Sequence, residues 1–175
     1  KSLAAAEELF GRALEEQPDF ARAQAGLCET RVARYSLERI PAHVAAAEVA
    51  CARAQALDNS AAEVHEAVGR LRLATGDAAE AEAAYRAALT LVPQSPDALI
   101  GLAQALAAGS KSREAEETYR RAIASQPRYV SAHTAYGNFL FTQGRASDAV
   151  VPYERATRLA PDNPWVVMQD GLADW

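Results

Sequence analysis

The stretch AEAAYRAALTLVP, Ala81 to Pro93, recurs as AEETYRRAIASQP at Ala115 to Pro127 and as AVVPYERATRLAP at Ala149 to Pro161. Each copy begins 34 residues after the one before it. An alanine, a tyrosine four residues on, an alanine three beyond that and a closing proline keep their places in all three. In the first copy Ala81, Tyr85, Ala88 and Leu89 fall at i, i+4, i+7 and i+8, one apolar stripe of a helix that Pro93 ends. A second stripe precedes each copy: Val64, Val68 and Leu71 around Gly69, then Leu99, Leu102, Ala103 and Leu106, then Tyr136, Gly137 and Leu140. Gly76-Asp77 separates the first such stripe from its partner, as a left-handed cap and a new helix start would. Each period is therefore a pair of short helices joined by a tight turn. Such a hairpin cannot bury its apolar face alone and must stack on its neighbours. The expected fold is all-α.

Outward from this core, regular units occupy 62–95, 96–129 and 130–163. Towards the N-terminus Asn59 takes the proline place, and the proline before it is Pro18, a spacing of 41 rather than 34. The 7 extra residues fall between Arg31 and Ala47 and amount to about two helical turns, or about 10 Å of helix. Pro41 suits the first turn of a helix. The unit over 21–60 is thus read with both helices lengthened and a protruding corner. Residues 1–18 form a second helix without its first, with Ala6, Phe10 and Ala13 at the repeat offsets. Residues 164–175, PWVVMQDGLADW, begin a further first helix or a cap. The whole chain is one array, starting and stopping inside the repeat as a piece of a longer protein would.

The pattern resembles the tetratricopeptide repeat, with its leucine-small pair, its Ala-x3-aromatic and its closing proline. The usual early tryptophan is replaced by Gln24, His65, Leu99 and His133. The resemblance implies a right-handed α-solenoid of stacked helix-turn-helix units whose first helices line a concave groove. It also implies a protein or peptide partner. The elongated unit from Phe20 to Asn59 is similar to arrays attached to bacterial serine/threonine kinases, nucleotide cyclases and winged-helix regulators. A sensor or regulatory region of such a signalling enzyme is the alternative to a free-standing scaffold.

A formal charge of −5 offers no basic stripe for nucleic acid. No run of 18 apolar residues is present, so no direct membrane contact is expected, and no signal-peptide pattern follows Lys1. The cytoplasm is the favoured compartment; the periplasm would need a tether outside this stretch. Cys28 and Cys51 match no metal or redox motif and read as two small buried packing residues rather than a disulfide. His43, His65 and His133 have no ligand spacing, and no nucleophile elbow or phosphate loop occurs. Neither metal, cofactor nor catalysis is expected.

The candidate chemistry is a surface. Taking Cys28, Gly69, Ala103 and Gly137 as reference points, the groove face holds the residue after each: Glu29, Arg70, Gln104 and Asn138. Four after lie Val32, Leu73, Ala107 and Phe141; three before, Ala25, Glu66, Ile100 and Thr134; six before, Arg22, Glu63, Asp97 and Ser131. These offsets trace one stripe of a helix. The partner-binding residues expected from it are Arg22, Glu29, Glu63, Glu66, Arg70, Gln104, Asn138 and Phe141. The family's carboxylate clamp is absent, since its positions hold Ala25, Glu29, Asp97 and Gly101. Apolar Trp165, Val166, Met168, Leu172 and Trp175 suggest weak head-to-tail self-association.

Overall fold

The computed structural model describes residues 2–163, and the expectations placed on the tail after Asn163 lie outside the described residues. The chain divides into two compact units, Lys1–Pro93 and Gln94–Trp175. The first holds α1 (Leu3–Glu16), α2 (Ala21–Glu38), α3 (Pro41–Leu57), α4 (Ala62–Thr75) and α5 (Ala78–Leu91). The second holds α6 (Pro96–Ala108), α7 (Ser112–Ser125), α8 (Val130–Thr142) and α9 (Ala146–Leu159). No strand occurs among the described residues, and the fold is an all-α helical-repeat solenoid.

Local signals start and stop these helices. Ser2, Asp77 and Ser95 accept hydrogen bonds from the backbone N–H three residues on, at 3.2, 3.0 and 3.2 Å. Pro41 and Pro96 begin α3 and α6, where the missing N–H costs nothing. Gly76 closes α4 at φ +87°, and Gly144 turns the chain after α8 at +74°. Ser110 takes the matching place between α6 and α7 at φ +61°.

Packing explains the repeated columns. Ala81, Ala88, Ala115, Ala122, Ala149 and Ala156 have no exposed surface. A Cβ added at Gly69 would sit 2.7 Å from the Tyr85 ring, and one at Gly137 would sit 2.5 Å from Tyr153. Those two tyrosines therefore lie on the first helix of their own hairpin, where only a hydrogen fits. Tyr119 meets the next hairpin, with its ring 5.9 Å from Tyr136 and 5.2 Å from Phe139. Burial of each ring contributes roughly 4–6 kcal/mol by area.

In the first unit α2 and α3 run to 18 and 17 residues, against 14 for α4 and α5. Their far ends are tied by charge. Arg31 and Arg34 both reach Glu7 on α1, at 3.1 and 2.9 Å, while Glu38 pairs with Arg34 and with His43. Burial alone would raise the Glu7 carboxyl, but the hydrogen bonds from Arg34 and Arg31 hold it below its ordinary range. Phe10 of α1 packs directly on Gly26 of α2.

The cysteine reading is overturned. Cys28 and Cys51 form a disulfide, with Cα atoms 5.3 Å apart. Both are buried, as a packing role requires, but α2 and α3 lie antiparallel in one hairpin and bring the two sulfurs face to face. The bond crosses the middle of the core of the first unit, among Val32, Ala47, Ala54, Val64 and Leu71.

Candidate functional site

In the first unit the stripe residues of α2 and α4 converge. Arg22, Ala25, Gly26, Glu29, Glu63 and Glu66 line a shallow recess of about 200 Å³. Ion pairs cross between the two helices: Arg22 lies 3.4 Å from Glu63, and Arg70 lies 3.5 Å from Glu29. Three carboxylates, Glu29, Glu63 and Glu66, stand with those two guanidinium groups, so this face is net acidic. The Tyr85 hydroxyl is pushed up first by burial, with Glu29 and Glu66 adding to this and Arg70 opposing it.

The second unit holds a larger recess of about 540 Å³, on α6, α7 and α8. Gln104 and Asn138, at the same repeat offset, stand on its walls with Ser131 and Thr134. Tyr119 and Phe139 form its floor, and both are almost fully buried. The Tyr153 hydroxyl donates to Asn138 Oδ1 at 2.8 Å and orients that amide. Phe141 is 42% exposed and does not line the recess. Val32 is buried in the core of the first unit.

Periodicity alone picks out Ile100, Gln104, Ala107, Ser131, Thr134 and Asn138 for this second recess and misses Tyr119, Ala135 and Phe139. The missed aromatics read as core residues, and the core is a place they also fill. Their signal is position, since both stand at the junction of one hairpin with the next. A further missed feature is the Glu116 carboxylate of α7. It accepts from Arg120, from Tyr136 at 3.0 Å and from Arg145 at 2.8 Å, joining α7 to α8 and to the turn before α9. The hydrogen bond from Arg145, against the smaller effect of burial, lowers its pKa. Glu116 occupies the place after the repeating alanine, as Glu7 does, and that column is readable in the sequence.

The histidines have structural tasks. His133 is buried with Nε2 3.0 Å from the Pro127 carbonyl oxygen, and His65 places Nε2 2.9 Å from that of Asn59. Each ring donates to the carbonyl of the residue that closes the preceding hairpin. Among the described residues no group of His, Cys, Asp and Glu is arranged to hold a metal ion. No described helix is long and apolar enough to cross a membrane.

Comparison with known proteins agrees with this geometry. Two sequence profiles described as tetratricopeptide repeat match residues 62–105 and 100–164, together more than half of the chain. No curated protein matches the sequence. Among solved structures, a thermophilic TPR protein of Thermus thermophilus superposes with a TM-score of 0.85 at 19% identity, covering 98% of this chain and 90% of that one. Two structures of MamA superpose with TM-scores of 0.62 and 0.60 at 18% identity, each covering 90% of this chain and 88% and 82% of theirs.

Proposed function

The chain belongs to the tetratricopeptide repeat family, and on that premise we propose that it is a non-catalytic interaction module whose first helices receive a segment of a partner protein. Repeats of this kind mediate protein–protein interaction, so the open question is the surface. The observation that carries the reading is the convergence of equivalent side chains within each unit. Residues at the same offsets of α2 and α4 line one recess, and those of α6 and α8 line another. Within each unit a repeated offset on two neighbouring first helices presents the same kind of contact twice, which suits an extended polypeptide better than a compact ligand. Arg22, Glu29, Glu63, Glu66 and Arg70 serve in the first unit, with Gln104 and Asn138 in the second. Phe141 adds an exposed aromatic on α8. Arginine and aromatic side chains are frequent anchors of binding energy.

The test is capture of partner protein by the immobilised chain, with cross-linked residues mapped. Contacts should fall on α2, α4, α6 and α8. The pair Arg70→Ala with Asn138→Ala should weaken capture at least tenfold while the helical circular dichroism stays unchanged. Undiminished capture by that pair would place the binding surface elsewhere, with the corner from Arg34 to Pro41 as the next place to examine.

A further inference from the structure

The recess of the second unit differs in chemistry from that of the first: among the described residues, no side chain lining it carries a charge. On its walls are carboxamides and hydroxyls, and on its floor are two aromatic rings 5.2 Å apart. The hydrogen-bonding capacity of the walls is specific. The Gln104 carboxamide makes no hydrogen bond to another described residue and is exposed, so it can donate and accept. Asn138 has its Oδ1 taken by the Tyr153 hydroxyl, which leaves the NH₂ as a donor. Thr134 donates its hydroxyl to the Val130 carbonyl at 3.1 Å and keeps its oxygen as an acceptor. This set of donors and acceptors complements the alternating C=O and N–H of an extended backbone. The floor rewards an aliphatic side chain by about 25 cal/mol per Å² of apolar surface removed from water. A charged side chain set there would lose hydration with no opposite charge to compensate.

We infer that the recess of the second unit takes an uncharged, extended stretch of the partner polypeptide, its backbone held by Gln104 and Asn138 and an aliphatic side chain seated over Tyr119 and Phe139. The inference rests on the groove reading above and names the chemistry of the segment received there. It sets this recess apart from one that would grip a terminal carboxylate, which requires cations that are missing from its lining among the described residues.

The probes are three end-capped peptides with the common frame Ser-Gly-X-X-Gly-Ser, in which X is leucine, lysine or glutamate. They are titrated to millimolar concentration against the full chain while the side-chain amide signals of Gln104 and Asn138 are followed by NMR. The leucine peptide should shift both signals, and the lysine and glutamate peptides should bind at least about tenfold more weakly. The variant Thr134→Asp, which places a carboxylate on the wall, should reverse the order and admit the lysine peptide. Equal binding of a charged peptide to the unaltered chain would overturn the neutral-segment inference while leaving the groove as the binding surface. So would failure of Thr134→Asp to favour lysine. If no peptide moves either amide signal, the inference is also overturned, and the groove reading is decided separately by partner capture.

Discussion

Breaking the Cys28–Cys51 bond isolates the contribution of one covalent link to the first unit. The cysteines are separated by 23 residues, and closing a loop of that length in the unfolded chain is worth about 3.4 kcal/mol in the chain-entropy treatment. That is roughly a 300-fold change in the folding equilibrium. Reduction changes little else, because both sulfurs stay within the same buried core. The double variant Cys28→Ala with Cys51→Ala removes sulfur volume as well and should fall further. The assay is urea unfolding of the oxidised and fully reduced chain, followed by circular dichroism, with thiols counted by mass spectrometry after alkylation. The midpoint should drop by about 1–3 M on reduction, given the usual urea dependence for chains of this size. Coincident midpoints, or two alkylated thiols in the native unreduced chain, would refute the reasoning.

Two further outcomes are expected. Gly137→Ala should destabilise by about 1–3 kcal/mol, because its methyl would strike the Tyr153 ring at 2.5 Å, whereas Gly11→Ala on an open face of α1 should stabilise by about 0.5–1 kcal/mol. Thermal melts in which Gly137→Ala matches the unaltered chain would mean that the ring does not rest there. Glu116, whose pKa is lowered chiefly by Arg145, contributes stability above the unfolded carboxylate value near about 4.3 and loses it as pH falls through the folded value. Glu116→Gln should therefore cost about 1–2 kcal/mol at neutral pH, with the difference closing below about pH 4; a gap that is constant with pH in urea titrations would exclude the linkage.

What the sequence made legible was whatever sterics repeat. Ala81, Ala115 and Ala149 recur because the two helices of a hairpin approach too closely for anything larger. Gly69 and Gly137 recur because an aromatic ring lies on each. The offsets of Gln104 and Asn138 followed from the same period. The repeat frame placed Cys28 and Cys51 in the two helices of one hairpin, where they could lie near each other, but not the bond itself, which depends on how the lengthened α2 and α3 align. The floor of the larger recess was hidden for another reason. Tyr119 and Phe139 stand in apolar stripes, and periodicity alone does not separate a ring enclosed by the core from one that also borders a recess.

The lengthened hairpin of α2 and α3 has a consequence for how the array assembles. Chains of near-identical units are prone to misassembly in which one unit takes the place of another. The α4–α5 and α6–α7 hairpins match in helix length to within one residue, so length does not tell them apart. The α2–α3 pair is told apart by length, since its helices overrun α4 and α5 by 4 and 3 residues, or about 5–6 Å each. Displacing it would also strip Arg31 and Arg34 from Glu7. One odd-sized hairpin near the start of the chain thus carries a length by which frame-shifted pairings involving it are disfavoured, whatever its side chains.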